Sequence, residues 1–407
     1  MGQGPLRRHL VSFLKIIVVA VLLTVIYFAV DWHDSYTIIS SKDGHQETIY
    51  GEIVGPWDTN PVLFRADDAS VPKPLQLTNA DGQPSVNLSP GILTYFSNLD
   101  VPLFLLGAAA FFIFVVIINS RWWWLMRANR LGVGFFETQR FAWIGLFCSN
   151  VLPGATGGDI VKAVFIVRRC SGDKVRAVVS VVVDRIVGLL SLLTVCSLSV
   201  PLVFDRFPLF AGVIWVCALG AAAVAALLLS PRLRRLLRFE ALVQKLPLRI
   251  GTVVTDIDHA LLQYRAHLRG IGVWILISPL TYSLFCLSVF LMDRALGVGL
   301  SLTDYFVIVP VAAVAQAIPI APAGWGIGEA AYGALIGKFG AAALPGVADA
   351  EQMMRTRGIA LSVLHRTHVM IWSLAGGVLL LLDRQRHPSD RNLTFDSDDA
   401  GEPTSKS

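Results

Sequence analysis

Six apolar runs, each long enough to cross a lipid bilayer, constrain this chain more than any other feature of its sequence. A helix needs roughly 20 apolar residues to cross a hydrocarbon core of about 30 Å. Charged residues make up 15% of the 407 residues, whereas about a quarter is usual in soluble domains. The sequence therefore predicts an all-α polytopic membrane protein with about six spanning helices. The predicted spans are 10–30, 101–119, 175–204, 209–230, 271–292 and 358–382.

Basic residues between the runs predict which ends face the cytoplasm. Clusters of Lys and Arg at 121–140, 162–176, 232–249 and 384–386 alternate with the spans, and such clusters mark cytoplasmic ends. Residues 31–100 instead hold ten acidic side chains against three basic ones. This pattern predicts a multi-pass protein of the cell inner membrane with both termini in the cytoplasm. Nucleic-acid binding is not expected, because no helix-turn-helix or aromatic RNA-binding signature accompanies the clusters.

The predicted spans divide the chain into four segments. Residues 1–30 read as an uncleaved signal-anchor helix. Residues 31–100 read as an extracytoplasmic β-module with strands at 36–41 and 47–54 and an interfacial helix at 90–99, where a periplasmic partner or a second copy of the chain is expected to bind. Residues 101–382 form the transmembrane domain, and 383–407 form a disordered cytoplasmic tail.

Two further apolar segments are interrupted by proline and glycine. The first has limbs at 141–152 and 160–167, the second at 306–320 and 330–339, and an acid ends each break, Asp159 and Glu329. Flanking charge places them on opposite faces, so they predict two opposed re-entrant broken hairpins in an inverted-repeat arrangement. Glycine-rich backbone ahead of a helix N-terminus suits an anion such as phosphate. The alternative is two ordinary interhelical loops, with Asp159 capping a helix and the glycines at packing contacts.

Charged residues also lie deep within two predicted spans. Asp184 and Arg185 are about ten residues into one span, and Arg366 lies at a comparable depth in the last. Charges at that depth pair or line a polar cavity. We predict one network of Asp159, Asp184, Arg185, Glu329 and Arg366 around a water-filled cleft, with the arginines holding a lipid phosphate. A purely structural ion-pair cluster is the alternative.

The remaining candidates complete the predicted substrate-binding set. The segment Arg121-Trp122-Trp123-Trp124 predicts an interfacial aromatic anchor, and the alternative is that Arg121 holds a headgroup at the cleft mouth. His365 and His368 lie one turn apart without a third ligand, so neither a metal nor a cofactor is predicted. No catalytic residue is assigned. The full predicted set is Arg121, Asn150, Gly154, Gly157, Gly158, Asp159, Asp184, Arg185, Gly324, Gly326, Gly328, Glu329 and Arg366.

Several motifs occur in an order typical of one family. They are Arg121-Trp122, residues 150–159 (NVLPGATGGD), residues 184–188 (DRIVG), residues 322–329 (PAGWGIGE) and the lone Arg366. The series resembles the lysylphosphatidylglycerol synthase transmembrane-region family, a flippase-like domain, over roughly 101–382. The resemblance implies a bacterial or archaeal membrane protein that handles lipids with phosphate-containing headgroups. No aminoacyl-transferase domain is expected after Leu382.

Three functions therefore stay open from the sequence. The leading one is a lipid flippase or transporter for anionic phosphate headgroups, of phospholipids or of polyprenyl phosphates, which is not an enzyme. The second is a membrane glycosyltransferase that uses a polyprenyl-phosphate sugar, with acids among Asp31, Asp34, Asp67 and Asp68. The third is a non-transporting scaffold whose β-module binds a partner.

Overall fold

The computed structural model describes most of the membrane domain and of the β-module. The described ranges are 32–39, 46–57, 60–76, 86–151, 157–199, 201, 208–229, 262–317, 326–344 and 350–386. The predicted signal-anchor helix at 1–30 lies outside these ranges, as do residues 152–156 and 318–325 of the two breaks and the chain after Arg386.

Five short strands form one antiparallel sheet ahead of the helices. The strands are β1 Asp34–Ile39, β2 Gln46–Ile53, β3 Val62–Ala66, β4 Lys73–Leu75 and β5 Val86–Ser89, in the order β4-β3-β2-β1-β5. One face packs around the buried side chains of Val62, Phe64 and Leu88. The pairing of β1 with β2 confirms the two predicted strands. The other three strands were not predicted, because they are short and β4 contains a proline.

Ten helices and one short 3-10 turn make up the rest of the described chain. The 3-10 turn is Tyr264–His267. The helices are α1 Ile92–Ser97, α2 Val101–Ala128, α3 Phe135–Val151, α4 Gly157–Arg169, α5 Lys174–Ser199, α6 Pro208–Leu229, α7 Leu268–Leu296, α8 Leu302–Ala317, α9 Ile327–Ala343 and α10 Ala350–Arg386. Four described helices are long and apolar enough to cross a membrane: α2, α5, α7 with its preceding turn, and α10. The protein is therefore a mostly helical membrane protein with a small sheet.

Two helix ends differ from the prediction. Helix α2 continues to Ala128 rather than stopping at the basic cluster, because Trp122, Leu125 and Met126 are buried against neighbouring helices. Trp122, 1% exposed, is thus part of the core and not an interfacial anchor. Helix α10 extends to Arg386, so the first four residues of the predicted disordered tail are helical.

The sheet is fixed to one end of the helical bundle, which we call the sheet end. The buried carboxylate of Asp34 accepts hydrogen bonds from Gly91 N at 2.6 Å and from Ile53 N at 2.7 Å, joining β1 to the start of α1. On α10, the Nε atom of Arg357 donates to the hydroxyl of Tyr95 at 2.8 Å. The Arg357 guanidinium also lies 5.2 Å from the ring of Trp57. These contacts hold the sheet against α1 and α10.

Close backbone contacts bring the long helices together. Ser288 of α7 donates to the carbonyl of Gly107 on α2 at 2.7 Å. Helix α10 packs against α9 where a Cβ at Gly358 would lie 2.7 Å from the Tyr332 carbonyl. Further along, Gly376 of α10 lies directly on the carbonyl of Trp143 in α3. Helix α10 therefore packs against both α3, which precedes the first break, and α9, which follows the second break.

The contact at Gly376 gives a testable prediction. Gly376→Ala should lower the free energy of unfolding by about 1–3 kcal/mol, because the added methyl group would overlap the Trp143 backbone and force α3 away from α10. Gly272→Ala on α7 is the matched control, since no atom lies within 4 Å of its added Cβ. Unfolding in detergent, followed by circular dichroism, measures both. Equal midpoints for the two variants would contradict the packing.

Candidate functional site

Charged side chains from α2, α4 and α5 meet where these three helices pack together. The Nε atom of Arg121 donates to Asp184 Oδ1 at 2.9 Å, and both side chains are largely buried. The Nη2 atom of Arg185 donates to Asp159 Oδ1 at 2.6 Å. The ammonium of Lys162 lies 5.5 Å from the Trp122 ring and within electrostatic range of the other four charges. We call these five residues the α4–α5 cluster: Arg121, Asp159, Lys162, Asp184 and Arg185.

Helix geometry explains how the cluster forms. Asp184 and Arg185 are adjacent on α5 and so point about 100° apart, which directs the acid to α2 and the arginine to α4. Gly188, one turn further on, leaves room for Arg121, whose Nη2 atom would lie 3.0 Å from a Cβ there. Three cations and two anions meet, so the cluster carries one formal positive charge in excess. A site of this kind suits an anion.

Lys162 was missed as a site residue because the sequence groups it with the basic residues that mark a cytoplasmic end. It lies three residues after Asp159 on α4, and residues at that spacing share a helix face. The aliphatic part of its side chain packs against Gly145 of α3, where an added Cβ would lie 2.8 Å from the Lys162 Cγ atom. This three-residue spacing from Asp159 is the feature of the sequence that could have identified Lys162 as a site residue.

Arg185 differs from its neighbours by its exposure. Its side chain is 62% exposed, although it lies about 17 Å along α5 from the end opposite the sheet. The exposed residues on the same face of α5 are Val178, Val182 and Leu189, and Ile160 and Val164 are exposed on α4. An exposed guanidinium is thus set in an apolar surface at membrane depth.

A second ion pair joins α9 to α10. The Nε atom of Arg366 donates to Glu329 Oε1 at 2.6 Å, and both side chains are buried. The other carboxylate oxygen of Glu329 accepts from Gly326 N at 2.7 Å, and Gly326 has a φ of 80° that favours glycine. A Cβ at Gly328 would lie 2.7 Å from Arg366 Nη2. These two glycines therefore make room for the pair.

The two ion pairs have the same local design. Asp159 and Glu329 are each the third residue of the helix that follows a break, α4 and α9. Each pairs at 2.6 Å with an arginine on the next long helix, Arg185 or Arg366. The described contacts put the predicted charges in two clusters rather than one network, because Arg121 supplies the partner of Asp184. Arg121 is accordingly buried and does not lie at a cleft mouth.

The other predicted site residues have packing contacts. Gly158 lies against Ser149 and the carbonyl of Gly145, bringing α3 and α4 together, and Gly157 is buried beside it. The side-chain amide of Asn150 donates to the carbonyl of Leu146 at 3.2 Å. Two predicted glycines lie outside the described residues, Gly154 and Gly324.

The acids of the β-module have different surroundings. The carboxylate of Asp34 accepts hydrogen bonds from two backbone amides and from the Thr94 hydroxyl. Asp31 lies outside the described residues. Asp67 and Asp68 line a cavity of about 680 Å³ on the sheet, with Tyr36 and Phe64 among its walls. In the described ranges, no three His, Cys, Asp or Glu side chains are grouped as metal ligands would be.

The residues that carry the two ion pairs lie largely within one family match. The family model described as lysylphosphatidylglycerol synthase TM region matches residues 91–350, nearly two thirds of the chain. The chain belongs to this family. The match begins directly after the sheet and ends at the first residue of α10, so Glu329 lies inside it and Arg366 beyond it. No curated protein and no solved structure matches the chain. The family places the helical part in a membrane, with a function related to lipids.

Proposed function

We propose that this protein moves lipids with anionic phosphate headgroups between the two leaflets of the inner membrane. The proposal rests on the exposed guanidinium of Arg185, which belongs to a cluster with one formal positive charge in excess. Arg185 uses its Nη2 atom to hold Asp159, and a guanidinium has five donors in all. Its remaining donors can bind a phosphate, for which arginine is well suited.

The apolar surface around Arg185 supports a lipid rather than a soluble phosphate. Val178, Val182 and Leu189 continue the exposed face of α5 on both sides of the arginine. Acyl or prenyl chains would lie along this face while the headgroup contacts Arg185. Arg366, which pairs with Glu329 between α9 and α10, would be a second binding site for the headgroup. An isolated charge at this depth would be costly, which is why such residues usually serve function.

The proposed topology has six spans and two re-entrant hairpins. Helices α2 to α5 and α7 to α10 form two units of the same order: a long helix, two limbs around a break, and a long helix that carries an arginine. Their first helices, α2 and α7, pack on each other. We place the sheet outside the cytoplasm and both termini inside, as the basic clusters indicate. Two broken segments in opposed units would put the binding site near the membrane midplane.

Vesicle reconstitution tests the function through the excess charge of the cluster. The purified protein should move fluorescent phosphatidylglycerol across phosphatidylcholine vesicles faster than fluorescent phosphatidylcholine. Lys162→Met removes the excess charge and should reduce this preference by about tenfold, the effect of roughly 1.4 kcal/mol. Lys162→Arg keeps the charge and should retain most of it. Movement equal to that in protein-free vesicles would refute the proposal.

The cavity on the sheet favours a second candidate, a glycosyltransferase that uses a polyprenyl-phosphate sugar. Asp67 and Asp68 lie at a cavity whose walls include aromatic rings, and carboxylates can act as general bases. In this case Asp67→Asn or Asp68→Asn would abolish sugar transfer from a polyprenyl-phosphate donor, and the wild-type protein would not move phosphatidylglycerol. Lipid movement without sugar transfer would support the lipid-transport function over the glycosyltransferase.

A further inference from the structure

Two histidines lie inside the bundle beside the Glu329–Arg366 pair, and neither the ion pairs nor the proposed headgroup site uses them. His365 and His368 are on α10, with ring centroids 4.8 Å apart. His368 is 2% exposed, and His365 is half-buried. Arg366 follows His365 directly in the chain.

Three of the four ring nitrogens of this pair have no hydrogen-bond partner among the described residues. They are Nδ1 of His365 and both nitrogens of His368. The backbones of His365 and Leu364 approach the His368 ring as weak hydrogen-bond partners, but their distance or angle falls outside that of a normal hydrogen bond. Buried polar groups are nearly always hydrogen-bonded, so a pair with three such atoms calls for an explanation.

The surroundings of the pair are mostly aromatic. Phe111 of α2 lies 4.8 Å from the His368 ring, and Phe285 of α7 lies 5.5 Å from the His365 ring. Tyr332 of α9 is 6.4 Å from His365. The titratable or charged groups beside the pair are Tyr332 of α9 and Arg366 of α10 itself. Cys286 of α7 lies beside Tyr332, and Glu329 of α9 lies beside Arg366.

We propose that the His365–His368 pair is a proton-binding site that couples proton uptake to the binding of an anionic phosphate group at Arg366. Imidazole is the side chain that gains and loses a proton near neutral pH. Histidines inside membrane bundles mark proton pathways. The lipid half of this proposal rests on the proposed function, whereas proton binding by the pair does not.

Arg366 supplies the coupling. Its positive charge acts on His365 and repels a proton there. A phosphate bound to Arg366 would neutralise that charge and release the Glu329 carboxylate, which could then balance the imidazolium. One proton and one phosphate monoanion together add no net charge to a buried site, which avoids the cost of an unpaired buried charge. By linkage, each ligand then strengthens the binding of the other.

Spectra of isotope-labelled histidine test proton binding without a transport assay. In the full chain in phospholipid nanodiscs, the two rings should change from neutral to charged as the pH is lowered from about 8 to about 4. The change should occur at a higher pH with phosphatidylglycerol than with phosphatidylcholine alone. His365→Gln and His368→Gln assign the signals. Rings that stay neutral throughout, or that respond only to added zinc, would overturn the proposal.

A pH gradient across reconstituted vesicles tests the coupling. The gradient should accelerate movement of fluorescent phosphatidylglycerol by about fivefold. In His368→Gln the ratio of rates with and without the gradient should fall to one. His267→Gln, whose ring lies beside Trp124 at the end opposite the sheet, should keep the acceleration. Equal acceleration in wild type and His368→Gln would refute the coupling. Vesicles without any lipid movement would refute the proposed function instead, and the spectra would still decide on the proton site.

Discussion

Replacing Arg185 with methionine is expected to slow the movement of phosphatidylglycerol by at least about a hundredfold, the effect of roughly 2.7 kcal/mol. Methionine keeps much of the length of the side chain and suits the apolar face of Val182 and Leu189, so the fold should persist. The phosphate would lose its main ligand, and Asp159 would lose the partner that holds it at 2.6 Å. Arg185→Lys should retain part of the rate, because it keeps the charge without the planar donors. Dithionite quenching of the fluorescent lipid measures the rate.

The control for Arg185 lies on the same helix. Arg176 pairs with Asp173 at 3.3 Å near the start of α5, and both side chains are exposed. Arg176→Met removes the same chemical group from the same helix without touching the α4–α5 cluster, and it should leave lipid movement unchanged. If Arg185→Met folds, as judged by its unfolding midpoint, and moves phosphatidylglycerol at the wild-type rate, Arg185 is not a headgroup ligand.

Replacing Glu329 with alanine is expected to destabilise the protein by about 3–5 kcal/mol, because it leaves the buried charge of Arg366 without its partner. The loss should appear as a large drop of the unfolding midpoint in detergent. The double variant Glu329→Ala/Arg366→Met should recover most of the stability, since a buried pair can be replaced by apolar side chains at little cost. It should not recover lipid movement.

An exposed ion pair provides the comparison for Glu329. Arg65 and Glu52 bond across β2 and β3, with side chains 44% and 62% exposed. Glu52→Ala should therefore cost less than about 1 kcal/mol. A small effect of Glu329→Ala, similar to that of Glu52→Ala, would contradict the buried pair. A stable double variant that moves lipid at the wild-type rate would show that this pair serves structure alone.

Much of the fold could be predicted because membrane helices follow from apolar length. The runs at 101–119 and 271–292, and residues 175–199 of the third run, lie in observed helices, since a helix satisfies its own backbone hydrogen bonds in lipid. The helix ends could not be predicted in the same way. Trp122 looked like an interfacial residue, and only packing against α4 and α5 makes it part of the core. The strands after β2 were missed because they are short.

The candidate site was predicted in its residues but not in its pairing. Asp184 and Arg185 are adjacent in the sequence, and each has a partner on a different helix. Which partner each one takes depends on how far α2 and α4 are rotated and shifted against α5. Sequence patterns do not contain that information, so they neither pair Arg121 with Asp184 nor separate Lys162 from the basic residues that mark a cytoplasmic end.

A structure determined experimentally in nanodiscs that contain phosphatidylglycerol would show whether Arg185 binds a lipid headgroup. The proposed function predicts a lipid phosphate within hydrogen-bond distance, about 3 Å, of the Arg185 guanidinium, with its acyl chains along Val178, Val182 and Leu189 of α5. Arg185 without a phosphate, in a structure that holds ordered anionic lipids elsewhere on the protein, would contradict it.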